Sequence, residues 1–197
     1  GAIARRMYAA CRPLAQSFVT PMAAVAGSVA DDVLAAMKTA APLRRAYVNN
    51  GGDIAVFMGE NQTFATAMQD HTGRDLGRIS LTYGHGIGGI ATSGRHGRSH
   101  SLGIADSVTV LAEHTAQADV AATLIANAVD LPGHPAITRK PANTLDPDSD
   151  LGEMAVVTHL SFLSQQETAR ALHAGQRRAY ALEKAGHIKA AALFLNG

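Results

Sequence analysis

Helix-like and strand-like stretches alternate along this chain, each broken by glycine or proline, and that alternation restricts it to a sheet with helices packed on it. Ala2 to Ser17 reads as a helix. Pro21 interrupts the chain, and Met22 to Thr39 reads as a second helix, with Val25, Val29, Val33 and Met37 spaced along one face and Pro42 ending it. Arg45 to Asn49 and Ile54 to Met58 are strand candidates joined by Asn50-Gly51-Gly52, the pattern of a hairpin. Gln62 to Thr72 is weakly patterned. Arg78 to Leu81, Ile90 to Thr92 and Asp106 to Ala112 read as strands, and Arg95 to His100 as a basic loop between the last two. Gln117 to Val129 is a strong helix. Asp130 to Asp150 holds four of the seven prolines and reads as loop or linker. Met154 to Thr158 is a strand, Ser164-Gln-Gln-Glu167 is a capping box that opens a helix to about Lys184, and Ile188 to Leu195 is a closing strand. The expected class is mixed α/β (α+β), in one domain over residues 1–197.

Composition narrows the function classes. With 197 residues, 47% of them hydrophobic, the chain can bury a core without disulfides, and disorder is excluded for its bulk. A net charge of +1 with scattered Lys and Arg gives no support to nucleic-acid binding. No apolar run approaches the ~20 residues that span a bilayer. The lone Cys11 cannot form an internal disulfide and fits a reducing compartment. Arg5-Arg6 is followed by a mixed helix-like stretch rather than an apolar core, so no signal peptide is expected and the expected location is the cytoplasm. The chain begins with Gly and its first residues look mid-element, so part of the natural N-terminus is expected to be missing.

Three segments can carry chemistry. Gly51 and Gly52 allow close backbone approach to a ligand, with Asp53 beside them as an acceptor; the plainer reading is a hairpin turn alone. Tyr83 to Gly94 is glycine-dense and ends in Ala91-Thr92-Ser93-Gly94, which suits a nest of N–H donors for phosphate or, equally, a tight inter-strand loop. It has no Gly-Lys-Ser/Thr and is not followed by a helix, so it is neither a Walker loop nor a dinucleotide fingerprint. Arg95 and Arg98, with His96 and His100, tilt it toward an anion. On the third segment, Asp119 and Thr123 lie four apart on a helix and can direct two hard oxygens at one point, as Mg²⁺ requires, although Asp near a helix start is also favoured by the helix dipole. No pair among the nine histidines has the His-x-x-x-His spacing on a helix, since His96 and His100 fall in a loop, and there is no cysteine partner. The charges of the last helix, among them Glu167, Arg170 and Arg177, read as a solvated face.

In order, Gly27 to Asp31, Gly51-Gly52-Asp53, Thr92-Ser93-Gly94, Val108-Thr109-Val110 and Ala118-Asp119 to Thr123 resemble the ApbE-like family of FAD:protein FMN transferases, most closely a shorter uncharacterised sub-family. The resemblance covers about Val19 to Val129. It implies a T-fold-like mixed sheet, bound FAD or FMN and a Mg²⁺ at the pyrophosphate. Asp119 and Thr123 would hold the metal, Gly51 to Asp53 and Ala91 to Gly94 would line the cofactor with Arg95 and Arg98, and Asp119 and His100 would be catalytic. The partners implied are a flavin nucleotide or another phosphate-bearing molecule and an acceptor protein, with a homodimer left open. The transferases carry a longer insert after their Thr-Ser-Gly, with a His-x-x-Asp-Pro segment, where this chain has only Arg95 to Ser107. A non-catalytic accessory factor of anaerobic sulfur or redox metabolism is therefore the alternative expectation, and an anion clamp of Arg95, Arg98 and His100 a third.

Overall fold

A computed structural model describes residues 1–195. The chain opens with helix α1 (Ala2–Cys11), which tightens into a 3₁₀ turn over Arg12–Leu14 because Pro13 lacks the amide that would continue it. A second 3₁₀ turn at Pro21–Ala24 leads into α2 (Val25–Ala40). The strands follow: β1 (Arg45–Asn50), β2 (Asp53–Met58), β3 (Thr63–Gln69), β4 (Asp75–Thr82), β5 (Gly89–Ser93) and β6 (Ser107–Ala112). After α3 (Thr115–Ala128) come β7 (Ile137–Pro141), β8 (Ala155–Leu160), α4 (Gln165–Lys184) and β9 (Ala190–Phe194).

Five strands form one sheet in the order β1-β2-β5-β6-β9, every neighbouring pair antiparallel. Alternation along the strands divides its two faces. Ala91, Val108, Val110 and Ala112 point to the side carrying α3 and share the main core with Val120, Ile125 and Ala171. On that same side Ala55 packs against Ala30 and Leu34 of α2. Ile54, Val56 and Ile90 point the other way and are covered by Phe64, Ile79 and Leu81 of the β3–β4 ribbon. Burial on both faces explains why β2 runs Ile-Ala-Val-Phe-Met without a polar residue after Asp53.

The class, mixed helices and antiparallel sheet, agrees with the sequence. Two segments differ. Gln62–Thr72, weakly patterned as sequence, holds β3: Phe64 and Met68 face the core, but Thr66 between them interrupts the apolar alternation. Asp130–Asp150 is not simply a linker, because Ile137–Pro141 pairs with β8. The ribbon has only two strands, so a proline at the end of one breaks no inner ladder. The predicted capping box is present: Ser164 accepts from the Glu167 amide, and the Glu167 carboxylate accepts from the Ser164 amide. No helix among the described residues is long and apolar enough to cross a membrane.

Candidate functional site

The site grows from a crossing of two helix N-termini. The opening N–H groups of an α-helix have no partner within it. Asp119, in the second turn of α3, accepts from the amide of Gly27 in the first turn of α2, at 3.0 Å. In return Asp31 of α2 accepts from the amides of Thr115 and Ala116 at the start of α3, at 3.1 and 3.0 Å. Each helix thus caps the other with an aspartate placed four residues beyond the contact. The approach needs a bare backbone, since a Cβ on Gly27 would lie 2.5 Å from the carbonyl oxygen of Thr115.

The β1–β2 turn and the end of β5 meet this crossing. Asn49 accepts from the Gly52 amide at 2.9 Å and shapes the turn, with Gly51 at φ 68°. Asn50 donates to the Ala26 carbonyl at 3.1 Å, tying the turn to the start of α2. The β2–β5 ladder comprises only Ile54↔Ile90 and Ala55↔Gly89. Just past it, the buried Asp53 carboxylate takes the Thr92 amide, at 3.3 Å, in place of a strand partner.

The Asp53 and Asp119 carboxylates face each other closely enough for each to shift the other's protonation. Burial pushes the Asp119 carboxyl up to about 8, helped by the charge of Asp53 and opposed by the Gly27 amide. Burial also raises Asp53, to about 6, against the lowering effects of the Thr92 amide and the Asp119 hydrogen bond. Two facing carboxylates cannot both stay charged in such surroundings without a proton or a cation between them. Their oxygens are hard donors of the kind a divalent cation such as Mg²⁺ takes, so the residues present fit that ion. Among the described residues there is no cluster of three or more His, Cys, Asp or Glu, so its remaining ligands would be carbonyls, water or substrate oxygens.

The other expected residues divide. Thr123 lies one turn beyond Asp119 on α3, partly buried, and makes no hydrogen bond among the described residues. Ala91 is buried against α3, and the Thr92 hydroxyl turns to Thr109 Oγ1 at 2.9 Å. Ser93 ends β5, and Gly94 packs against the Asp106 carbonyl. Arg98 reaches back over Gly51, where a Cβ would collide with its guanidinium. Arg95 behaves differently from the expected anion clamp: it is paired with Asp106 at 2.7 Å, and His96 meets the same carboxylate at 3.3 Å while stacking on His71 at 3.6 Å. His100 is exposed in the loop, without a hydrogen bond or ion pair among the described residues.

Sequence reasoning placed Asp53 and Asp119 in one pocket but did not foresee their direct contact, nor the roles of Asn49, Asn50 and Gly27. The shared spacing, Gly27 to Asp31 and Thr115 to Asp119, was the available signal. Two clefts lie elsewhere on the described surface, one between residues 127–135 and α4 and the other between α4 and β9.

The family model described as AbpE bacteria matches residues 1–197. A UPF0280 protein of Methanopyrus kandleri is 35% identical over 162 residues, covering 82% of this chain and 64% of that protein. UPF0280 proteins of Methanothrix thermoacetophila and Methanosarcina barkeri are 37% and 31% identical, covering 64% and 66% of this chain and 52% and 49% of their own lengths. The chain therefore spans about half to two thirds of the length of these curated relatives. These findings correct the reading of the chain as an ApbE-like FAD:protein FMN transferase. Its motifs are short and glycine-rich, and the family and relatives that match carry no such activity in their names. By its full-length match and these relatives, the chain belongs to the AbpE bacteria family and is similar to the UPF0280 proteins.

Proposed function

We propose that the junction of the 50–53 turn, the end of β5 and the N-termini of α2 and α3 binds a phosphate-bearing nucleotide together with Mg²⁺, a flavin nucleotide (FAD or FMN) being the first to test. The observation that carries this reading is the Asp53–Asp119 pair, two carboxylates held together where a proton or cation must sit between them. Arg98 adds a positive charge beside Gly51 and has no ion pair among the described residues. The glycine backbone lets a phosphate approach without a Cβ in the way. When bound, Mg²⁺ would neutralise charge on a pyrophosphate. Asp119 holds its proton at neutral pH until a cation displaces it, and the Gly27 amide fixes its orientation. The chemistry this suits is pyrophosphate cleavage, in which water adds to one phosphorus of FAD and the other phosphate leaves, giving FMN and AMP. We further infer a T-fold-like arrangement, supported by a continuous antiparallel sheet with α2 and α3 side by side on one face.

Calorimetry of the full chain with FAD, with and without Mg²⁺, tests the binding. Saturable, Mg²⁺-dependent binding that disappears in Asp119→Ala is expected, and no binding of FAD, FMN or ATP with Mg²⁺ present would sink the proposal. Release of AMP then tests the chemistry. A second reading, a ligand- or protein-binding accessory factor without turnover, is favoured by the engagement of Arg95 and His96 with Asp106, which leaves the short loop few groups for catalysis. It predicts binding without AMP.

A further inference from the structure

A concave surface lies between α4 and the loop that follows α3, a cleft of about 960 Å³ that shares no residue with the junction described above. Its shape is preset. The His134 amide donates to the Leu131 carbonyl at 3.1 Å, closing a turn. His134 Nε2 meets Glu167 Oε1 at 2.8 Å, pinning the loop to the start of α4. The Ala136 amide donates to His134 Nδ1 at 3.2 Å, which fixes the ring from its other side.

The charges on this surface do not cancel. Arg170, His173 and Arg177 line the α4 wall and make no ion pair among the described residues. The acidic groups nearby are already engaged. Asp130 is held by Arg139 at 2.5 Å, and Glu167 accepts from the Ser164 amide and hydroxyl as well as from His134. Seven positions separate the two arginines, which places their Cα atoms about 10 Å apart along one side of the helix. The loop wall of the same cleft offers Leu131 and Pro132, an apolar surface. Arginine forks suit oxyanions in bidentate geometry, and a preformed cleft lowers the cost of ordering them.

We propose that this cleft binds a small molecule carrying two oxyanion groups about 10 Å apart, one on Arg170 and one on Arg177, with its middle over Leu131 and Pro132. The groups are phosphates or carboxylates, and the probes separate the two. Calorimetry of the full chain in EDTA would use fructose 1,6-bisphosphate, fructose 6-phosphate and suberate. EDTA removes the divalent cation the Asp53–Asp119 junction would use, and variants at Arg98 and Asp119 report any binding there. The expected result is saturable binding of at least one dianion. It should be at least tenfold weaker in Arg170→Ala and in Arg177→Ala, and unchanged in Arg98→Ala and Asp119→Asn. Both arginines are exposed, so these variants keep the wild-type melting temperature. Tighter binding of the bisphosphate than of both the monophosphate and suberate assigns phosphate, and tighter binding of suberate assigns carboxylate. Absence of saturable binding, a bisphosphate no tighter than the monophosphate with suberate silent, or dianion binding that survives the double arginine variant would overturn the proposal.

Discussion

Replacing Asp119 with Asn should make the metal-free protein more stable, and increasingly so as the pH rises. The unfolded chain releases the Asp119 proton near the ordinary 3.8, whereas the folded chain holds it to about 8. Between those values the folded state binds more protons than the unfolded one. The contribution is therefore fully present below about pH 4 and is lost as the pH climbs toward 8. The limiting slope is about 1.4 kcal/mol per pH unit, so moving from pH 5 to pH 7 costs on the order of 2–3 kcal/mol through the carboxyl pair. In a domain of this size that is a fall of roughly 5–11 °C in Tm. Asn keeps the shape, keeps an acceptor for the Gly27 amide and gives Asp53 a permanent donor. Thermal melts in EDTA at pH 5, 6, 7 and 8 should show the variant losing most of the wild-type slope. Parallel curves for the two proteins would refute the reasoning, because they would mean that Asp119 titrates alike folded and unfolded. Saturating Mg²⁺ should flatten the wild-type curve and leave the variant unmoved, since a cation at the pair replaces the proton.

Gly27→Ala forces a Cβ to 2.5 Å from a backbone carbonyl that belongs to the first turn of α3 and cannot swing aside. A loss of about 2–3 kcal/mol is expected from chemical denaturation, and a change under 0.5 kcal/mol would show that the helices separate easily. The Ser28 hydroxyl is wholly buried at the same crossing with no hydrogen-bond partner among the described residues. Ser28→Ala should therefore leave stability unchanged or raise it by about 1 kcal/mol, measured the same way, whereas a clear loss would point to a bound water or ligand on that hydroxyl.

Most elements could be read from the chain because their signals are local. The Asn50-Gly51-Gly52 turn, the Ser164–Glu167 box and the prolines bounding α2 each act within a few residues. What was illegible depends on distant partners. The apolar middle of β2 reads as a strand, but nothing in it says that both faces are covered. Arg95 and Arg98, three apart in one basic loop, look equivalent, yet Asp106 claims one while the other reaches Gly51. The chemistry of the five motifs was assigned by resemblance, and short glycine-rich words specify backbone shape better than they specify a reaction.

Asp31 and Asp119 show why spacing alone could not separate scaffold from site. Each stands four residues after its contact, each accepts an amide from the other's helix, and their surroundings in the sequence are alike. Asp31 uses one oxygen for Thr115 and the other for Ala116, so its charge is consumed by two helix N-terminal donors. Asp119 gives one oxygen to Gly27 and is faced by Asp53, so its charge is opposed rather than compensated. A cap and a loaded carboxylate should respond to mutation with opposite sign. At pH 8 in EDTA, Asp31→Ala should destabilise by about 1–2 kcal/mol, the cost of an N-cap, while Asp119→Asn stabilises. With FAD and Mg²⁺ present, Asp31→Ala should retain ligand binding wherever it remains folded, and Asp119→Asn should not. If both substitutions destabilise equally at pH 8, Asp119 is a second cap and the carboxylate pair has no role beyond joining two helices.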